Sequence, residues 1–166
     1  MLMRLLELVY FMLPAYVANM SPPFTRFWRG WNRPINRRLL GDHKTVVGFA
    51  LGVTTGVLTA YVQSRVDWER SLWPASSWLP VGLAMGFGAM TGDSAKSFFK
   101  RRIGVAPGKP WVPFDQLDFP IGALLLVWPL VTLSWVDAAI ILVFTFVADI
   151  AVNHVSYWLR IRETKW

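Results

Sequence analysis

The sequence predicts an all-α, polytopic membrane protein with about five transmembrane helices and basic cytoplasmic loops. Three observations predict it. The first is composition: hydrophobic residues make up 54% of the 166-residue chain and charged residues only 16%, against about 25% charged in an average soluble domain. A soluble fold of this size would expose more apolar surface than so few charges could cover. The second is the occurrence of five apolar runs, at 5–20, 46–62, 78–99, 119–133 and 136–159, within one domain spanning 1–166. The third is that basic residues collect between alternate runs.

Taken in order, run 5–20 follows Arg4 and contains Glu7. It has the start of a secretory signal, but the internal acid and the lack of a clean small-residue cleavage site make it a retained first span. Run 46–62 reaches the lower end of the roughly 17–25 helical residues that cross about 30 Å of hydrocarbon, and runs 5–20 and 119–133 are shorter. Run 78–99 starts at Trp78 and ends in charge. Runs 119–133 and 136–159 are separated by a short turn at 134–136.

The loops set the orientation. Arg26, Arg29, Arg33, Arg37, Arg38 and Lys44 lie between runs one and two; Lys96, Lys100, Arg101, Arg102 and Lys109 between three and four; Arg160, Arg162 and Lys165 after run five. The opposite segment 64–77 balances Arg65 and Arg70 with Asp67 and Glu69, and 134–136 carries no charge. With five spans, all three basic segments share one side, which the positive-inside rule makes cytoplasmic. The expected protein is therefore a multi-pass protein of the cell membrane, with its N-terminus outside and its C-terminus inside. Its net charge of +7 is spent on topology and phosphate, not on nucleic acid. Trp28, Trp31, Trp68, Trp73, Trp78, Trp135, Tyr157 and Trp158 fall at the expected interfaces, as in an aromatic belt. Gly48, Gly52 and Gly56, then Gly82 and Gly86, and Gly88 and Gly92, recur every four residues, a pattern that lets helices approach closely in lipid. The absence of cysteine excludes disulfides, a thiolate nucleophile and cysteine-based metal centres.

Two motifs carry chemistry at the basic side. Gly41-Asp42-His43-Lys44-Thr45 and Gly92-Asp93-Ser94-Ala95-Lys96-Ser97 both read Gly-Asp, a gap, Lys, then a hydroxyl. Neither is a Walker A loop. Glycine permits close backbone approach to phosphate, lysine supplies charge, and hydroxyls donate to oxygens. On a continued helix, Asp93, Lys96, Ser97 and Lys100 share one face, with Arg101 and Arg102 following. A basic helix end that only fixes topology is the competing account. Asp115 and Asp118, three residues apart around Gln116, add a pair of hard oxygen ligands of the kind that suits magnesium with phosphates. Helix capping explains one of these acids well and the pair less well. Asp149, Asn153 and His154 place polar groups inside the last run, either a functional patch or an interhelical hydrogen bond.

These residues resemble the archaeal CDP-archaeol synthases, the CTP-dependent cytidylyltransferases that act on a geranylgeranyl-ether glycerol phosphate. The resemblance rests on Leu13-Pro14-Ala15-Tyr16-Val17-Ala18-Asn19 with Ser21-Pro22, on Leu40 through Thr45 with Gly48, and on Gly92 through Arg102. Pro107-Gly108, Asp115-Gln116-Leu117-Asp118-Phe119 and the ending Leu159 through Trp166 extend it over nearly the whole chain. It implies five spans, a cytoplasmic active site, magnesium as cofactor, and CTP and an isoprenoid ether-lipid phosphate as partners. It implies Asp93, Asp115 and Asp118 as metal ligands, with Asp93, Lys96 and Asp118 catalytic. Asn19, Lys44, Lys100, Arg101 and Arg102 become nucleotide or phosphate contacts, alongside Gly41, Asp42, Thr45, Gly92, Ser97 and Gln116 of the same motifs. The Arg- and Trp-rich stretch 24–31 departs from the family and takes no role from it. The preference for cytosine comes from the resemblance alone. A small transporter for a phosphorylated solute is the alternative; it would call for cations near the midplane or a clear internal repeat.

Overall fold

The computed structural model describes residues 2–27, 32–106 and 109–158. Trp28, Trp31, the Pro107-Gly108 turn and the basic ending with Arg160, Arg162 and Lys165 lie outside the described residues. Six α-helices are described: α1 (Leu2–Met20), the single turn α2 (Arg37–Leu40), α3 (Val46–Val66), α4 (Trp78–Arg102), α5 (Phe114–Val127) and α6 (Trp135–Trp158). Short 3-10 turns cover Pro22–Phe27, Ala75–Ser77 and Trp128–Leu130. No strand occurs among the described residues beyond an isolated Pro34–Thr45 bridge.

The five long helices run alternately between two ends, and side-chain contacts identify each end. At one, Arg4 donates to both carboxylate oxygens of Asp137 at 2.9 and 2.7 Å and to Glu7 at 2.9 Å, while Arg70 reaches Glu7 at 3.0 Å. The starts of α1 and α6 and the α3–α4 connection therefore meet there. Arg70, whose charge the sequence balances against its neighbours Asp67 and Glu69, is instead tied to α1. At the other end the α2–α3 loop meets the end of α4 and the start of α5.

Glycines decide how closely the helices lie. A Cβ on Gly56 of α3 would stand 2.9 Å from the Gly86 Cα of α4, and one on Gly82 would stand 2.9 Å from Val57. On the opposite side of α4, a Cβ on Gly88 would stand 2.8 Å from the Ala123 Cα of α5, and one on Gly92 would strike the Asp118 carbonyl. The stripes thus serve backbone contact, with α4 between α3 and α5. Leu8, Phe11 and Met12 of α1, Val81 and Met85 of α4, Val127 of α5 and Ile141 of α6 form the closed core. Leu58, Leu125, Val143 and Val147 point outward and are more than half exposed, as side chains facing hydrocarbon would be.

One polar pair inside the bundle has a local cause. Pro14 lacks the N–H that would bond the Tyr10 carbonyl four residues earlier. The buried Gln63 of α3 supplies that bond instead, its Nε2 donating to Tyr10 O at 2.5 Å.

Three stretches, Leu2–Thr25, Val46–Val66 and Trp135–Val155, are helices long and apolar enough to cross a membrane. The two remaining long helices carry the charged residues of the Asp93–Lys96 and Asp115–Asp118 motifs. α4 keeps 25 residues but ends in Lys100, Arg101 and Arg102. α5 starts at Phe114, five residues before the expected run, and has only 14 residues, about 21 Å of helix.

Candidate active site

The close α4–α5 contact brings two helix faces together. Asp93, Lys96 and Lys100 project from α4 at helical spacing, Asp115 and Asp118 from α5. Lys96 Nζ lies 3.2 Å from Asp93, 3.4 Å from Asp115 and 2.7 Å from Asp118. Lys100 Nζ donates to both oxygens of Asp115 at 2.9 and 3.0 Å and to the Lys109 carbonyl at 2.8 Å. Lys44, from the α2–α3 loop, ion-pairs with the other oxygen of Asp93. Three ammoniums and three carboxylates interlock, so the cluster is neutral as it stands. Breaking one buried partner of such a set costs more than making the set contributes, which is why it reads as a working site and not a stabilising one.

The loop that delivers Lys44 is closed by backbone bonds. Ile35 N donates to Lys44 O at 2.8 Å and Val46 N to Arg33 O at 3.0 Å. Asn36 caps α2 through Leu39 N, and Thr45 caps α3 through Gly48 N. Gly41 adopts φ +84, a conformation that favours glycine, and a Cβ there would stand 3.0 Å from the flexible end of Arg101. On the other side, Asp115 Oδ2 accepts from Trp111 N at 2.6 Å and pins the segment entering α5.

The residue types suit a hard divalent cation. Three carboxylates converge on one point and the donors are all oxygen; the buried Asp118 Oδ2 is met by Lys96 Nζ at 2.7 Å. The point of convergence is held by the Lys96 ammonium, and among the described residues no three acidic or histidine side chains are spaced to coordinate one ion directly.

Not every expected residue joins this cluster. Asp42 pairs with Arg37 at 3.1 Å, both about three-quarters exposed. Thr45 is the cap just described, Gly92 a packing glycine, and Ser97 donates back to the Asp93 carbonyl at 3.0 Å. Asn19 sits half-buried in the last turn of α1. Gln116 is 3% exposed, with its Oε1 lacking a partner. His43 lines a narrow cleft with Lys44, Asp93 and Ser94. In α6, Asn153 donates to Asp149 at 2.9 Å and His154 contacts the Ile150 carbonyl at 2.8 Å.

Arg101 and Arg102 leave the lysines altogether. They line a separate cavity of about 490 Å³ with Asn36, Arg38, Leu39 and Phe98. Arg38 is the site residue that the sequence counted only toward topology; its place just before the first Gly-Asp motif was the available signal.

Comparison with known proteins follows the same lines. The family described as CarS-like: CDP-archaeol synthase matches residues 1–166. A CDP-archaeol synthase of Methanospirillum hungatei JF-1 is 37% identical over 93% of this chain and 100% of its own length. Those of Methanopyrus kandleri and Pyrococcus furiosus are 35% and 33% identical, over 95% and 98% of this chain and 91% and 98% of theirs. A solved structure described as an intramembrane enzyme for archaeal membrane lipid biosynthesis superposes with a TM-score of 0.70 at 33% identity, covering 90% of this chain and 94% of that one.

Proposed function

Since the chain belongs to the CDP-archaeol synthase family, we infer that it is an integral membrane cytidylyltransferase that transfers CMP from CTP to the phosphate of an isoprenoid ether lipid, giving CDP-archaeol and pyrophosphate. The observation that carries the site assignment is the meeting of Asp93, Asp115 and Asp118 around Lys96, with Lys44 and Lys100 on the flanks. Cations gathered at one end of the bundle, not midway along it, leave the transporter reading without support.

In the reaction, an oxygen of the lipid phosphate attacks the α-phosphorus of CTP. The bond from that phosphorus to the bridging oxygen breaks, and pyrophosphate leaves with the electron pair. The nucleophile is a phosphate monoester with a second pKa near 6. It is mostly ionised at neutral pH, so no side chain need act as general base. The protein's task is alignment and charge neutralisation. Lys44, Lys96 and Lys100 each hold a carboxylate now, and each can exchange it for a phosphate oxygen. Asp93, Asp115 and Asp118 would hold magnesium, which when bound supplies Lewis acidity toward the phosphates. All five long helices are taken to cross the membrane, with the lysine–carboxylate end at the cytoplasmic face, where CTP is available. The basic segments around α2 and at the end of α4 support that orientation.

The test uses detergent-purified protein, radiolabelled CTP, magnesium and geranylgeranyl-ether glycerol phosphate. Label should enter the lipid phase, and chelating magnesium should stop it. Asp93→Asn should lower turnover about a hundredfold or more while the protein stays folded, because Lys96 keeps Asp115 and Asp118 and the amide oxygen can still accept from Lys44. Folded wild-type protein that leaves the lipid unlabelled would sink the assignment.

A further inference from the structure

The two sets of cations that the sequence places side by side on α4 separate in the fold, and their charge balance differs. Lys44, Lys96 and Lys100 are matched one for one by Asp93, Asp115 and Asp118. Arg38, Arg101 and Arg102 have no carboxylate partner among the described residues. Arg101 Nη1 donates only to the Val105 carbonyl at 3.4 Å, and Arg102 lies 5.2 Å over the Phe98 ring. No acidic residue lines the cavity they share. Three guanidiniums around one cavity form a seat for a dianionic phosphate, which arginine grips bidentately.

We propose that the Arg38–Arg101–Arg102 cavity between α2 and the end of α4 holds the phosphate of the acceptor lipid, while the lysine–carboxylate cluster takes the nucleotide. This assignment rests on the cytidylyltransferase reading given above. Three observations favour the lipid over the nucleotide's polyphosphate here. CTP travels with a divalent cation and needs carboxylates nearby; this cavity has none, and the lysine cluster has three. A lipid phosphomonoester comes without a metal and needs uncompensated positive charge. The lining also includes the apolar Leu39 and Phe98 beside the arginines, and Phe99 and Ile35 are exposed nearby in sequence. That mixture suits a phosphate joined to glycerol and hydrocarbon at a membrane interface. The cavity of about 490 Å³ lies in the range of roughly 300–1,000 Å³ typical of small-molecule sites.

The two seats are neighbours. Arg101 packs against Gly41 so closely that a Cβ would stand 3.0 Å from its guanidinium. Three residues further on, Lys44 is paired with Asp93. The arginine seat and the lysine seat therefore adjoin through one short loop, 41–44.

The test is steady-state kinetics of the purified protein with each substrate varied in turn. In Arg38→Gln, KM for the geranylgeranyl-ether glycerol phosphate should rise about tenfold or more, the loss expected for one charged hydrogen-bonded contact. KM for CTP and the inhibition constant of inorganic pyrophosphate should stay unchanged, which also shows the variant folded. Arg38→Lys should recover part of the loss, and Arg102→Gln should repeat the pattern if Arg38→Gln fails to fold. A rise in KM for CTP or weaker inhibition by pyrophosphate would overturn the proposal and give the arginines to the polyphosphate. An unchanged lipid KM would overturn it too. So would equal competition by a phosphodiester lipid, which would make the cavity a general anionic surface. Failure of the cytidylyltransferase reading is read separately, from absence of CMP transfer by the wild type.

Discussion

Lys96 occupies the point on which Asp93, Asp115 and Asp118 converge. Its ammonium keeps three mutually repelling carboxylates together before any ligand arrives. A divalent cation held among these carboxylates, as proposed, would compete with this lysine for the same oxygens. Lys96→Met should expose that competition. Without CTP, magnesium should raise the variant's Tm by several degrees more than the wild type's, because binding to the native state stabilises it by mass action. Turnover should fall about a hundredfold or more, since one phosphate-neutralising charge is gone. An equal magnesium response in both proteins, read by thermal unfolding in detergent, would mean that the ion does not bind among these carboxylates.

Among the elements, α4 decides the site because it has small residues on two sides. Gly82 and Gly86 meet α3, and Gly88 and Gly92 meet α5. The second contact sets the distance between Lys96 and the α5 carboxylates. Gly88→Val would drive a branched side chain into the backbone of Gly122 and Ala123. Overpacking of this kind costs about 1–3 kcal/mol, occasionally more. Both Tm and turnover should drop in that variant, although residue 88 is more than one helical turn from Asp93. Leu83, exposed and off both glycine stripes, offers the control: Leu83→Val should change neither by much.

At the scale of the whole molecule, the two ends are chemically different. One is closed by the Arg4–Asp137 and Arg70–Glu7 pairs, which tie α1, α6 and the α3–α4 connection together. The other gathers the lysines, arginines and aspartates of the site. The proposed orientation puts the second end inside. The absence of native cysteine makes this directly testable with single-cysteine variants at exposed positions. A membrane-impermeant maleimide on intact cells should label Glu69→Cys. It should label Arg37→Cys only after the membrane is opened. The reverse pattern would invert the topology.

By itself the sequence determined the helical class, the apolar runs, the glycine stripes and the polar motifs, because each is written in spacing along one chain. Apolar length, four-residue glycine repeats and Asp-Lys pairs at helical intervals need no knowledge of neighbours. Tertiary structure alone decided which polar residues share a site. Lys96, Lys100, Arg101 and Arg102 look like one basic cluster in a row, yet successive positions on a helix turn about 100°, and the neighbouring elements differ around α4. α5 meets the two lysines with carboxylates, while α2 meets the two arginines with Arg38. The same holds for Asp42 and Thr45, which share a motif with Lys44 but face solvent and a helix start instead. Local spacing sets what each residue can do; the packing of helices far apart in sequence sets what it meets.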